Sequence, residues 1–433
     1  MKIAFYTLGC KVNQYESEAL LELLEQEGFS AAEKNADVCV INTCTVTAES
    51  DKKSKKTVRR AIRENPGAYV LVTGCASQID KQAFSSINGV SFVNGNRDKK
   101  TLARHILHYK NTREKTCGSC LFDLSTKGYE ALSVSRSERT RAYMKIEDGC
   151  ESKCAYCIIP RARGPICSRP LEDCINEAKA LVEGGYKEIV LTGIEVSAYG
   201  NDLEKADLAA LLEGLNAIKG LERIRLSSID PSFLRPAFTD RIAALSAVVP
   251  HFHLSLQSGC DGTLHRMRRR YNTEILKRNL GYLMDRLPGV RFTADVIVGF
   301  PGETAEEFEK TCAFLETLPL LHTHVFAYSP RPGTEAAEMK EQLPEQIKKE
   351  RSAALIALCE RIGKETLQKE IGKTYPVLFE QHKNGIAYGH TPNFIEVALP
   401  SKDPLDNLIL PVSLRLLDPQ TGVVYGERKN QHG

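Results

Sequence analysis

Short apolar runs separated by stretches of helical periodicity make up most of this chain, the pattern of strands buried on both faces alternating with amphipathic helices. In the first hundred residues the runs 3–6, 38–41 and 69–72 read as parallel strands. Between them lie segments such as 17–27, with leucines at 20, 21, 23 and 24. This alternation predicts an open parallel α/β unit. From about residue 140 it becomes regular, with strands expected at 142–146, 188–191, 223–226, 251–256, 291–298 and 322–328 and helices such as 171–183, 273–287 and 305–318 between most of them. Six such strand–helix units make a partial barrel whose chemistry belongs at the carboxyl ends of the strands. The last segment changes character. Glycines and prolines punctuate short alternating runs at 375–379, 395–399 and 412–416, which predict a small antiparallel barrel.

The residues just beyond each strand narrow the chemistry. Cys10, Cys44 and Cys75 each come shortly after one of the three amino-terminal strands. Carboxyl ends of parallel strands share one edge, where ligands bind, so three cysteines far apart in sequence are expected to converge. Cys39, inside its strand, reads as a small buried hydrophobe. In the second unit the strand ends carry Thr192-Gly193-Ile194-Glu195, Ser227-Ser228-Ile229-Asp230, Gln257-Ser258-Gly259, Gly299-Phe300-Pro301-Gly302-Glu303 and Ser329-Pro330-Arg331. After its first strand come Cys150, Cys154 and Cys157. Their spacing lets one loop place three thiolates on three corners of an iron–sulfur cube, leaving the fourth iron open. A zinc knuckle is the alternative, but zinc needs a fourth ligand close by. No histidine lies in the loop, and the nearest spare thiol is Cys167.

Composition sets the frame around these motifs. A length of 433 residues suggests about three domains. Charged residues make up 26%, and no apolar run approaches membrane-spanning length. Fourteen cysteines without an export signal argue for metal ligation and buried thiols in a reducing cytoplasm. Leu8-Gly9-Cys10 has too few residues before it for a lipoprotein signal. The net charge of +3 is small, so any nucleic-acid surface must be a local patch. Two stand out. Lys52, Lys53, Lys55, Lys56, Arg59, Arg60 and Arg63 share a helical segment with Val58 and Ile62 facing inward, and Arg266, Arg268, Arg269 and Arg270 follow the fourth barrel strand. Lys55, Lys56, Arg59, Arg60, Arg268 and Arg269 are the RNA-contact candidates. From residue 369 onward seven basic residues balance seven acidic ones, so charge says nothing there. Phe379, Tyr388 and Phe394 could stack on bases, though core packing suits at least two of them. The Cys117–Cys120 pair reads as incidental.

The strings LGCKVNQYES, INTC and TGC, then GC-ESK-C-AY-C-IIP, HLSLQSG, VGFPGET and FAYSPRPGT, together resemble the radical S-adenosylmethionine methylthiotransferases over essentially the whole chain. The resemblance implies three domains: 1–125, an amino-terminal domain holding an auxiliary cluster; 136–368, a radical domain; and 369–433, a small RNA-binding β-barrel of the TRAM type. It implies two 4Fe–4S clusters, one on Cys10, Cys44 and Cys75 and one on Cys150, Cys154 and Cys157. S-adenosylmethionine would lie against Gly193, Glu195, Ser228, Gln257 and Arg331. Lys11-Val12 beside Cys10 resembles the branch that acts on N6-threonylcarbamoyladenosine at position 37, in the anticodon loop of tRNA. The rivals within the family act on isopentenyladenosine or on a ribosomal-protein aspartate. A rival of another class is a non-catalytic iron–sulfur RNA-binding protein. Ile166-Cys167 departs from the family, which usually has a basic residue there, and Glu195 stands where another polar residue is common.

No side chain is expected to do the bond-making. The hydrogen on carbon 2 of adenine is beyond the reach of any side-chain base, so a cofactor radical must open that position, and sulfur must arrive already activated. A reductant and a sulfur donor are therefore implied partners, and no membrane is. A threonylcarbamoyl group carries a carboxylate, for which Lys11, Asn13 and Arg331 are candidates.

Overall fold

The computed structural model describes residues 1–126, 128–136 and 139–429; the last four residues of the expected carboxyl-terminal domain lie outside these. Among the described residues the amino-terminal unit is a six-stranded parallel sheet. It is formed by Lys2–Thr7 (β1), Ser30–Ala31 (β2), Val38–Thr43 (β3), Tyr69–Gly74 (β4), Phe92–Asn94 (β5) and Gly118–Cys120 (β6), in the order β2-β1-β3-β4-β5-β6. The apolar runs marked β1, β3 and β4, because helices cover the sheet on both sides. Ala4, Cys39, Ile41, Val70 and Val72 pack one face against Val58 and Ala61, and Ile3, Val38, Val40 and Leu71 pack the other against Leu20, Leu24 and Leu102. Strands β2 and β6 carry no apolar signal, since every residue in them is exposed.

The second unit is the partial barrel. Its strands are Arg141–Lys145 (β7), Glu188–Thr192 (β10), Arg223–Leu226 (β11), Ser228–Ile229 (β12), His251–Gln257 (β13), Arg291–Val298 (β14) and Leu320–Ala327 (β15). Glu147–Asp148 (β8) and Cys167–Ser168 (β9) add a short antiparallel pair that brackets the cysteine loop. Two parallel sheets, β11-β10-β7 and β12-β13-β14-β15, are separated only at Ser227, so the order around the barrel follows the chain. Local signals set the outer helices. Thr304 and Glu307 close a capping box at the start of Ala305–Glu316, and the Asn272 side chain accepts from Ile275 N at the start of Thr273–Arg286. In the loop after β14, buried Glu303 accepts from Gly299 N at 2.7 Å and pairs with Arg351. That string shapes a turn.

The helix Glu345–Gln368 packs on β15 and leads to a closed five-stranded barrel of Thr374–Lys383 (β16), Ile386–His390 (β17), Glu396–Pro400 (β18), Ile409–Leu417 (β19) and Val424–Arg428 (β20). All its pairings are antiparallel except β18 with β20. It docks on the amino ends of the larger barrel's strands. Arg141 pairs with Glu380, Arg223 donates to His390 O and Pro376 O, and Arg225 donates to Pro392 O. Phe379 lies in the small barrel's core, whereas Phe394 turns outward onto the larger one. Among the described residues, no helix is long and apolar enough to cross a membrane.

Candidate cluster and substrate site

Cys10, Cys44 and Cys75 meet at one edge of the amino-terminal sheet. Strand register brings this about: Thr7 pairs with Asn42 and Thr43 with Gly74, so all three cysteines emerge at the same level. Gly9 has φ +94°, and a Cβ there would lie 2.8 Å from both Cβ and Sγ of Cys44. Only glycine lets the Cys10 loop approach this closely. Asn13 pins the loops together by donating to Leu8 O at 2.7 Å and Thr43 O at 3.0 Å. Cys44 N donates to Ser54 Oγ, anchoring the basic helix Ala48–Glu64 beside it. Cys10 is exposed, while Cys44 and Cys75 are buried.

The second triad sits at the carboxyl end of β7. Cys150 N donates to Gly164 O, Ser152 N to Cys150 Sγ at 3.4 Å, and Ala155 N to Met267 O. Gly149, at φ +83°, lets the loop turn against Pro165, whose carbonyl oxygen would lie 1.9 Å from a Cβ. Arg269 Nη1 donates to Cys154 Sγ at 3.4 Å and Nη2 pairs with Asp230 at 2.8 Å. Burial pushes the Cys157 and Cys75 thiols up to about 12, with neighbouring thiols adding to it. A bound cationic metal reverses that preference. Zinc would need four donors round one point. Among the described residues no three His, Cys, Asp or Glu are gathered in that way. Ligands of a cubane stand on separate irons and need no such convergence. Sulfur donors with N–H groups aimed at them fit that demand.

The two triads are joined by Arg163, at the end of the short helix Ile159–Arg163 that follows Cys157. Its side chain is fully buried; Nε donates to Cys75 Sγ at 3.2 Å and Nη2 to Asn13 Oδ1 at 2.6 Å. Nη1 bridges Glu16 and Asp148, each at 3.0 Å. Lys145 also joins these two carboxylates, and Lys99 reaches Glu16. Burial alone would raise the Glu16 and Asp148 carboxyls, but Arg163 and Lys145 hold both well below the ordinary range. Asn96 adds a bond to Ala162 O at 2.7 Å.

Of the expected cofactor contacts, Gly193, Glu195, Ser228 and Gln257 all lie at the barrel rim. A Cβ on Gly193 would stand 2.0 Å from Glu147 Oε1, which also accepts from Glu195 N. The Glu195 carboxylate accepts from the Ser197 hydroxyl, and burial pushes its pKa up. Gln257 has φ +63° at the end of β13. Arg331 is engaged elsewhere through one end of its guanidinium. Its Nη2 is held by Thr45 Oγ1 at 2.5 Å and Asp51 Oδ2 at 2.6 Å, clamping the last barrel loop to the amino-terminal unit. Asn13 is likewise engaged, as described, in holding the cluster loops.

The RNA candidates divide. Lys56, Arg59 and Arg60 are exposed, and Arg60 also lies over the Tyr6 ring. Lys55 is half-buried over Phe84. Arg268 is exposed and pairs with Glu335. The Arg269 side chain instead lies against the cysteine loop, bonded to Cys154 and Asp230 and 6% exposed. Adjacent residues on a turn point in different directions, which charge counting ignores.

Sequence reasoning missed the barrel lumen. A cavity of about 1000 Å³ lies there, lined by Lys11, Arg141, Arg225, His251, His253 and Phe394 among others. Polar residues two apart in strands expected to be apolar on both faces were the available signal: Arg223 and Arg225, His251 and His253, His322 and His324. Lys11, next to Cys10, is exposed and lines this cavity near Arg141 and Arg225.

Comparison with known proteins fits this arrangement. Residues 144–315 match the Radical SAM superfamily, and residues 2–95 match Uncharacterized protein family UPF0004. The chain is 40% identical to the threonylcarbamoyladenosine tRNA methylthiotransferase MtaB of Bacillus subtilis, over 95% of this chain and 93% of that protein. It is 34% identical to the tRNA-2-methylthio-N(6)-dimethylallyladenosine synthase of Pelotomaculum thermopropionicum, over 95% of each. In fold it resembles the radical S-adenosylmethionine methyltransferase TsrM of Kitasatospora setae, with a TM-score of 0.58 at 18% identity over 78% of this chain and 74% of that one. Two cysteine triads on these two matched segments, and identity sustained along nearly the whole chain, make this protein a member of the radical SAM tRNA methylthiotransferase family that includes the threonylcarbamoyladenosine enzymes.

Proposed function

We propose that this chain methylthiolates carbon 2 of N6-threonylcarbamoyladenosine at position 37 of tRNA. The observation that carries the reading is the junction of the triads: Arg163, from the loop of one, donates to Cys75 of the other, so radical formation and sulfur delivery would share one enclosed space. Cys10, Cys44 and Cys75 would hold an auxiliary 4Fe–4S cluster, and Cys150, Cys154 and Cys157 a second one. When bound, the clusters and S-adenosylmethionine supply the radical and the activated sulfur that no side chain can.

The residues do the positioning. Arg163 and Arg269 direct N–H groups at the Sγ atoms of Cys75 and Cys154, which would hold the clusters, and Asn13 fixes the loops that carry Cys10 and Cys44. Glu147 supports the rim loop of Gly193 and Glu195, which with Ser228 and Gln257 would border the cofactor. Lys55, Lys56, Arg59 and Arg60 on the helix after Cys44, with Arg268, would meet the phosphates of the anticodon stem and loop. The domains we assign are 1–125, 136–368 and 369–433, the last a TRAM-like RNA contact. A cytoplasmic reductant and a sulfur donor complete the partners.

The test is nucleoside mass spectrometry on tRNA from a deletion strain, paired with a 5'-deoxyadenosine assay on anaerobically reconstituted protein. Loss of 2-methylthio-N6-threonylcarbamoyladenosine alone supports the reading. Loss of the isopentenyl derivative instead would reassign the substrate, and RNA binding without cofactor cleavage would make the protein a non-catalytic binder.

A further inference from the structure

The lumen cavity gathers both cationic and acidic side chains, and the cations do not all have their donors met. Lys11, Arg141, Arg225 and Lys364 line it together with Glu360 and Glu396, while Glu188, Glu380 and Asp295 pair with or face its cations. Arg141 pairs with Glu380 at 2.9 Å, and Arg225 Nε pairs with Glu188 at 2.6 Å. Arg223 shares Glu188, and Asp295 faces His253 at 3.2 Å. Two buried nitrogens are left over: Arg225 Nη2 and His251 Nδ1 have no hydrogen-bond partner among the described residues. The side chain of Lys11, which is exposed, makes no hydrogen bond or ion pair among them. A buried arginine N–H left unmet is costly, so an acceptor belongs beside Arg225 Nη2, in the cavity that Lys11 also lines.

The surrounding packing holds the donors in place. Phe394, at φ +71°, stacks on His251 at 4.5 Å and on His390 at 4.7 Å, and the Arg225 guanidinium lies 4.8 Å from its centroid. Arg225 Nη1 is fixed on Pro392 O, so Nη2 has little freedom to find another acceptor. At the other side Lys11 follows Cys10 directly. A base held at the auxiliary-cluster edge would therefore have its N6 substituent directed into the lumen.

We propose that this pocket binds the carboxylate of the amino-acid substituent on the target adenosine, with Lys11 and Arg225 Nη2 as donors and Lys11 as the residue that selects an acidic over an apolar substituent. The inference rests on the substrate proposed above. An RNA phosphate is the other anion with this chemistry, and the experiment separates the two.

The measurement is fluorescence anisotropy of the reconstituted full chain with three anticodon stem-loops. One carries threonylcarbamoyladenosine, one its methyl ester, and one unmodified adenosine. The wild type should bind the acid roughly tenfold or more tightly than the ester, the scale of one charge-assisted hydrogen bond. In Lys11→Met the ratio should fall towards one, and in Lys11→Arg, which keeps the charge, it should persist. Each ratio is internal to one protein sample, so partial unfolding does not alter it. A ratio unchanged in Lys11→Met overturns the site, and equal weakening of all three stem-loops there reassigns Lys11 to a phosphate. A wild type that does not separate the threonylcarbamoyl stem-loop from the unmodified one overturns the substrate assignment, and the carboxylate site with it.

Discussion

Arg163 Nε lies 3.2 Å from Cys75 Sγ, so the loop of one cysteine triad hydrogen-bonds a thiol of the other. The bond crosses between units that the chain separates by 88 residues. Because the same guanidinium also holds Glu16 and Asp148, moving either loop would break a buried ionic network. The triads are thus fixed relative to each other by electrostatics as well as by packing.

Removing that guanidinium should be expensive. Arg163→Met leaves two buried carboxylates short of a cation and should destabilise the fold by about 3–5 kcal/mol, read as a lowered Tm. Arg163→Lys keeps the charge but not the fork, so it should recover much of the Tm without restoring the bond to Cys75. Iron bound to the auxiliary triad should then drop, or its reduction potential shift, in both variants. Wild-type iron content and potential in Arg163→Lys would show that the sulfur contact does no tuning.

The triads should fail in different ways. Alanine at Cys150, Cys154 and Cys157 should abolish 5'-deoxyadenosine formation and leave the iron of the other triad bound. Alanine at Cys10, Cys44 and Cys75 should spare cofactor cleavage and stop sulfur transfer to tRNA. Iron analysis with mass spectrometry of the nucleoside checks both, and full product from either triple variant would refute the ligand assignment.

The basic helix should act through phosphates. Serine at Lys56, Arg59 and Arg60, all exposed, should weaken tRNA binding and reduce the slope of log K against log salt by roughly 0.7–0.9 for each phosphate no longer neutralised. Titrations at several salt concentrations measure this. Adding Arg269→Ser should instead disturb the Cys154 loop, since that side chain is buried there. An unchanged slope in the triple variant would make this face merely solvated.

Sequence made the strand ends legible because the physics there is local. An apolar run of four to six residues followed by a glycine and a cysteine marks both the strand and its functional edge, as in Thr73-Gly74-Cys75. Long-range partners left no such mark. Arg331 finds Asp51, and Arg163 finds Glu16, only after two sheets have docked, and nothing in the local sequence names either carboxylate. The lumen was hidden for a different reason. Its polar residues lie within strands whose overall hydrophobicity matched the expectation of two buried faces, so only their period of two betrayed an inward polar row.

One member of that row predicts a pH dependence of stability. His251 is buried beside Phe394, and burial, reinforced by the charges of Arg225, His253, Lys11 and His390, drives its pKa well below the ordinary value. The native ring therefore stays neutral at pH values where the unfolded ring, titrating near about 6.5, takes up a proton. Below that point the unfolded state binds more protons than the native one, so stability falls as pH drops. Above it the ring is neutral in both states and contributes no slope. His251→Phe preserves the stack on Phe394 and removes the titration, while Thr293 Oγ1 keeps its bond to His253 at 2.8 Å. The fall in Tm between pH 7.5 and 5.5 should accordingly be smaller in His251→Phe than in the wild type, with a remainder from His324 and His105, whose pKa values burial also lowers. Equal falls in the two proteins would mean that His251 is protonated in the native state, with a counter-charge in the lumen to hold it.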